Sequence, residues 1–144
     1  MKRCYLDTNL LLYFNNPNSP FYQQAGSILA KLINNNWQLF LSPLTLDEYF
    51  HNTLRFTNLP KEKAMKTLKK SLNKLIKLPN IQLINPSTIL GTHKKVLNFM
   101  IKYQLRSRDA YHLLIMIENK IKYLATFDND FDKIFEKGSI KKFI

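Results

Sequence analysis

Asp7, Glu48, Asp109 and Asp128 are the residues of this chain best placed to do chemistry. Lys and Arg total 22 against 10 Asp and Glu, a formal charge of +12, so acids are scarce. These four still fall where the sequence pattern begins or ends a strand or a helix. Carboxylates brought together by a fold repel one another and need a cation or a proton between them. A divalent ion held by carboxylates, on a protein whose charge attracts polyanions, predicts metal-dependent chemistry on nucleic acid.

Each acid also has a local reading. Asp7 opens the turn-like trio Asp-Thr-Asn and could cap the next helix. Asn9 could orient Asp7 or a water, and Thr8 adds a hydroxyl. Thr45-Leu46-Asp47-Glu48 matches a capping box, in which Glu48 would only bond back to the backbone. Ser42-Pro43 argues against that, because a hydroxyl cap followed by proline starts the helix earlier and puts Glu48 in its interior. Asp47 is expected to face solvent. Asp109 suits the first turn of a helix electrostatically, with Ser107 as the expected cap. His112 lies one turn further on the same face and is read as a supporting group.

Asp128, Asp130 and Asp132 alternate, but a calcium loop would need glycine and glutamate where Lys133 and Ser139 stand. Phe131 is expected to plug the core and turn Asp128 toward the cleft. Asp130 is an additional ligand candidate, and Asp132 a surface residue. Arg106 and Arg108, beside Asp109, are candidates for contacts to substrate phosphates; the competing reading pairs them with the carboxylates. Lys66, Lys69, Lys70, Lys74 and Lys77 share one helix face, which reads first as a solvated face.

Positioning these groups requires strands alternating with helices. Strands are predicted over Arg3–Leu6, Trp37–Leu41, Ile81–Ile84 and Lys122–Thr126, with an edge strand at Ile140–Ile144. Apolar residues at helical spacing predict helices over Tyr22–Asn34, Ser42 to about Thr57, Lys61–Lys77, about Ser87–Tyr103 and Arg108–Asn119. The alternation implies a three-layer α/β/α sandwich with a mainly parallel central sheet. Such sheets carry their sites beyond the carboxyl ends of the strands, where Asp7 and Asp128 fall.

Composition bounds the rest. A chain of 144 residues is expected to be a single domain over 1–144, burying roughly two-thirds of its unfolded surface. The single cysteine, Cys4, excludes an internal disulfide and a four-cysteine zinc site, and is expected inside the first strand. The longest apolar runs, Leu10–Phe14 and Leu113–Ile117, are five residues each, far below the roughly 20 of a membrane span. Asp7 and Asn9 interrupt any signal-peptide core after Lys2-Arg3, so cytosolic residence is expected.

The motifs together resemble the PIN domain, the small metal-dependent ribonuclease fold of VapC-like toxins from toxin–antitoxin pairs. Leu6-Asp7-Thr8-Asn9 resembles the first acidic motif of that family. The segments Ser42–Glu48 and Arg108–His112 resemble the second and third, and Tyr123–Phe131 resembles the fourth, with Asp128 as its acid and Thr126 as an accompanying hydroxyl. The resemblance covers nearly the whole chain. One departure is Asn119-Lys120, where family members commonly have a glycine before the last motif.

The resemblance implies hydrolysis of RNA phosphodiesters with Mg²⁺ or Mn²⁺ held by Asp7, Glu48, Asp109 and Asp128, leaving a 5′-phosphate and a 3′-hydroxyl. It also implies a small antitoxin partner and a homodimer. Two other readings stay open: a non-catalytic RNA-binding module, and an RNA-processing or ribosome-maturation nuclease of the same fold. A haloacid-dehalogenase-type phosphatase would need a second Asp where Asn9 stands.

Overall fold

The computed structural model describes residues 1–144. The chain runs β1 (Arg3–Leu6), α1 (Thr8–Phe14), α2 (Tyr22–Asn34), β2 (Gln38–Leu41), α3 (Pro43–Phe56), α4 (Lys61–Ile76) and β3 (Ile81–Leu83). There follow α5 (Lys94–Tyr103), α6 (Ser107–Glu118), β4 (Tyr123–Ala125), α7 (Asp132–Glu136) and β5 (Lys141–Lys142). The five strands form one sheet in the order β3-β2-β1-β4-β5, and every neighbouring pair is parallel.

Side-chain alternation along the strands creates two cores. Cys4, Leu6, Leu39, Leu41 and Ala125 point to one face and pack with α1–α4. Tyr5, Phe40 and Leu124 point to the other and pack with α5, α6 and α7. Period-2 geometry sends neighbouring residues to opposite faces, so a sheet covered on both sides needs strands apolar throughout. Cys-Tyr-Leu and Leu-Phe-Leu meet that requirement, and the expected three-layer sandwich results. Cys4 is fully buried in β1, and desolvation raises its thiol pKa above the ordinary value.

The predicted helices α2, α3 and α4 match to within a residue. Ser42 is the N-cap of α3, its Oγ accepting from Thr45 N–H, and Pro43 is the first helical residue. Two expectations are corrected, and one element is added. The helix expected from Ser87 begins only at Lys94, after a 3₁₀ turn at Leu90–His93; Ser87 lies before it, its N–H bonded to the Glu118 carboxylate. Ser107 does not cap α6; the cap position is Arg106, and its side chain makes no capping bond. The run after Asp7 is a short helix, α1, apolar from Leu10 on and therefore without the period that marks an amphipathic helix.

Asn119-Lys120, where the motif comparison expects glycine, closes α6 in a Schellman turn. Lys120 sits in the left-handed region at φ 54°, with Lys120 N–H bonded to Ile117 O and Ile121 N–H to Met116 O. The end of α2 repeats it: Asn36 has φ 53°, and Trp37 N–H bonds to Leu32 O. In both turns the residue that follows is buried, which pins the strand start without glycine. No helix is long and apolar enough to cross a membrane.

Candidate active site

The sheet order defines the crevice. From central β1 the chain first builds outward to β2 and β3, then returns to lay β4 against the other side of β1. The carboxyl ends of β1 and β4 therefore flank the switch point, where adjacent loops diverge and leave a cleft. Asp7 follows β1 directly, and Asp7 N–H still bonds to Ala125 O at 3.0 Å, extending the pairing past both strands. Asp128 lies three residues beyond β4, Asp109 in the first turn of α6, and Glu48 in the interior of α3.

Asp109, Asp128 and Asp130 form the tightest group: one carboxylate oxygen from each lies within 4.8 Å of the others. Asp128 Oδ1 accepts from Asp130 N–H at 2.8 Å, which fixes the turn that carries both acids. Phe131 inserts into the core at 2 % exposure, while Asp132 stays at the surface. Asp130 thus stands with the acids as a full member of the cluster.

Asp7 borders that trio and is nearly fully buried. Its Oδ1 accepts from Thr8 N–H at 2.7 Å, so it does cap α1; its Oδ2 accepts from Thr126 Oγ1–H at 2.5 Å. The capping reading of Asp7 therefore holds, and capping leaves the residue at the carboxyl end of β1. Thr126 Oγ1 in turn accepts from Asp128 N–H at 2.9 Å, and Asn9 Oδ1 accepts from Phe127 N–H at 3.0 Å. Thr8 is buried at the start of α1. Asn9 and Thr126 lace the ends of β1 and β4 together.

Glu48 faces the same crevice from α3, while Asp47 is exposed. Its Oε1 accepts from His112 Nε2 at 2.7 Å. His112 is 1 % exposed, and its Nδ1 lies 2.8 Å from the Tyr5 hydroxyl. Tyr5 was not singled out in the sequence: a tyrosine in a central strand reads as core, and only the sheet brings it under His112.

The electrostatics record the crowding. Burial first, then the neighbouring Asp128 and Asp7 charges, push Asp109 up to about 6. Burial also raises Asp7 above the ordinary carboxylate value, partly opposed by His112 and by the Thr126 and Thr8 bonds, and reinforced by the charge of Glu48. No Lys or Arg relieves this repulsion. The one Lys or Arg salt bridge of the molecule is Lys66–Glu62 on the surface, and Glu48 is met by a hydrogen bond from His112. Arg106 and Arg108 are exposed and form no salt bridge with the acids, so the ion-pairing reading of these arginines does not hold. In a chain with 22 basic residues, no lysine or arginine forms a salt bridge with these acids. A set of hard oxygen donors under mutual repulsion fits a divalent cation.

Fold and cleft together define an α/β protein of doubly wound type, with an acidic site suited to a cation at its switch point. The chain belongs to the PIN domain family, which it matches over residues 4–137. It is 30% identical over 125 residues to Ribonuclease VapC6 of Methanocaldococcus jannaschii, covering 78% of this chain and 82% of that one. Among solved structures it is similar to VapC20 of Mycobacterium tuberculosis, a sarcin–ricin loop cleaving toxin. That likeness has a TM-score of 0.68 at 12% identity, over 91% of this chain and 94% of the other. It is also similar to a chain of VapBC2 from Rickettsia felis, solved bound to a DNA fragment from its promoter. There the TM-score is 0.66 at 17% identity, over 97% and 96% of the two chains. At such identities these two likenesses establish the fold.

Proposed function

We propose that this protein is a metal-dependent ribonuclease and the toxin of a toxin–antitoxin pair. The observation that carries the reading is the trio Asp109, Asp128 and Asp130, gathered at the switch point of a strongly basic protein and left without a basic partner. Membership of the PIN domain family and the kinship to a VapC ribonuclease support it. Asp109, Asp128 and Asp130 would hold Mg²⁺ or Mn²⁺, with Asp7 and Glu48 completing the acidic wall of the cleft. Such an ion, when bound, supplies an acidified water and neutralises charge on the phosphate.

The remaining groups act by position. Thr126 and Thr8 hold the Asp7 carboxylate in place, and Asn9 holds the backbone that leads to Asp128. The exposed guanidinium groups of Arg106 and Arg108 stand at the start of α6, where they can meet phosphates on either side of the scissile bond. An antitoxin partner is supported by solved relatives that include VapBC2 of Rickettsia felis and VapBC-1 of Haemophilus influenzae, and a homodimer is what the family resemblance implies.

The test is cleavage of labelled structured and unstructured RNAs with Mg²⁺, Mn²⁺ or EDTA, beside an Asp109→Asn/Asp128→Asn variant. Ion-dependent cleavage lost in the variant is expected. Salt-sensitive RNA binding without cleavage of any RNA would shift the reading to a binding module.

A further inference from the structure

The inner end of Glu48 is held by a buried chain of hydrogen bonds that runs from the middle of the sheet. Tyr5 in β1 places its hydroxyl 2.5 Å from Ser42 Oγ, 2.9 Å from Thr45 Oγ1 and 2.8 Å from His112 Nδ1. His112 Nε2 then reaches Glu48 Oε1 at 2.7 Å. Tyr5, Ser42 and Thr45 are fully buried and His112 is 1 % exposed, whereas the Glu48 side chain is 14 % exposed. The relay thus starts in the core and ends on a carboxylate that meets the cleft.

Counting donors assigns its direction. An ionised carboxylate only accepts, so His112 Nε2 must carry a proton. A neutral imidazole then has a bare Nδ1, which can only accept, and the single proton of Tyr5 goes there. The Tyr5 oxygen in turn receives protons from Ser42 and Thr45. Ser42 Oγ still accepts from Thr45 N–H, which caps α3. Every buried side-chain polar atom finds a partner. The opposite tautomer would set a bare nitrogen against a carboxylate oxygen at 2.7 Å, a repulsive contact.

We propose that His112 is the positioning residue of Glu48, held by the Tyr5 hydroxyl with its proton on Nε2, so that Oε1 is fixed and the second carboxylate oxygen is presented to the cleft. Phenylalanine and leucine would fill the same core space without desolvating four polar groups. The polar chain fits a demand for orientation better than a demand for stability, because a fully satisfied buried network specifies one arrangement. A histidine oriented by a distant hydroxyl and bonded to a site carboxylate has the geometry of the outer-shell partners that orient ligands in metal sites. The functional part of this assignment rests on the ribonuclease reading; the geometric part does not.

The experiment has two arms on the full-length protein. The first is the ¹⁵N spectrum of the imidazoles at neutral pH, wild type beside Tyr5→Phe, with His112→Gln to assign the signal. The wild type is expected to show His112 protonated at Nε2, and Tyr5→Phe to shift the Nδ1 resonance as that nitrogen loses its hydrogen bond. A wild-type His112 protonated at Nδ1 alone overturns the proposal, whatever the protein does to RNA.

The second arm is a double-mutant cycle on RNA cleavage with Tyr5→Phe and Glu48→Ala. Tyr5→Phe alone is expected to lower kcat about tenfold with KM little changed, a size typical of outer-shell partners. In the Glu48→Ala background the same change should have no further effect. Equal losses in both backgrounds would mean that Tyr5 and His112 merely support the core, and would overturn the assignment. If the wild type cleaves no RNA, the ribonuclease reading falls, and the relay is decided by the spectrum alone. Thermal melting of each variant identifies one that fails to fold, in which case the wild-type spectrum and His112→Gln in the same cycle carry the decision.

Discussion

Thr126 Oγ1 donates to Asp7 Oδ2 at 2.5 Å while accepting from Asp128 N–H at 2.9 Å, so one hydroxyl ties together two acids that follow two neighbouring strands. The bond spans 119 positions of sequence and joins the carboxyl ends of β1 and β4 at the floor of the cleft. It also meets the need of a buried carboxylate, which would otherwise lose half of its direct hydrogen bonding. Replacing Thr126 by valine keeps the shape and deletes the hydroxyl. The expected loss is about 2 kcal/mol, since a buried charge and a backbone N–H are left without their partner. Thr126→Ser should recover most of it. Urea denaturation of the three proteins at neutral pH in EDTA checks this.

Asp109 links the site to pH. Its folded-state value of about 6 lies above the ordinary 3.8, so the folded protein binds this proton more readily than the unfolded chain. Its ionisation therefore destabilises the metal-free protein above about pH 6. Stability is gained as pH falls through that value, and the gain levels off near pH 4. With solvent screening of a half-buried group, the contribution is on the order of 1 kcal/mol. Asp109→Asn should be more stable than wild type at pH 7.5 in EDTA, and the difference should shrink by pH 5. Paired thermal melts at the two pH values read it directly; equal differences at both would rule the account out.

Divalent ions should reverse that penalty. Mn²⁺ or Mg²⁺ at 100 times the dissociation constant is expected to stabilise the wild type by about 2.7 kcal/mol through mass action alone. Asp128→Asn should abolish the effect. Asp130→Asn should weaken it more than Glu48→Gln does, because Asp130 belongs to the trio within 4.8 Å and Glu48 is engaged by His112. Titration followed by melting temperature measures all three without any RNA. A larger loss in Glu48→Gln would relocate the ion toward α3.

Salt dependence should separate the two basic surfaces. Arg106 and Arg108 stand beside Asp109, whereas Lys66, Lys69, Lys70, Lys74 and Lys77 line a shallow depression on α4. For single-stranded RNA each lost phosphate contact lowers the slope of log affinity against log salt by about 0.7. Arg106→Gln/Arg108→Gln should lower it by about 1.4. A matched pair, Lys69→Gln/Lys70→Gln, should leave it nearly unchanged if that face is only solvated. Filter binding from 50 to 300 mM salt, on a background of Asp109→Asn to prevent cleavage, discriminates the surfaces.

Lys120 offers a test of the fold independent of the site. A side chain at φ 54° costs about 1 kcal/mol that glycine avoids. Lys120→Gly is expected to raise stability by a little less than that, since glycine also loses more freedom on folding. Denaturant midpoints decide the sign.

Local physics made much of this molecule legible. Ser42-Pro43 marks the start of α3, because a hydroxyl cap and a missing N–H act within one turn of chain. The apolar spacing of Tyr22–Asn34 marks α2 for the same reason. The apolar strands Cys4–Leu6 and Leu39–Leu41 imply a sheet covered on both faces. Asp7, Asp109 and Asp128 near element ends, with Glu48 inside α3, stand in the order of the PIN motifs and point to the cleft. What the sequence could not rank was the company each acid keeps. Asp130 reads as an accessory on a loop, yet the 3₁₀ turn pinned by Phe131 brings it to Asp109, which lies on another element. His112 reads as one histidine on an apolar helix. Its role depends on Tyr5, 107 residues away, and on Glu48, 64 residues away, brought together only when β1 lies between β2 and β4 with α3 and α6 above its end. Capping and periodicity are short-range and written in neighbouring residues, whereas carboxylate crowding and a buried hydrogen-bond chain depend on distances that exist only after the sheet has closed.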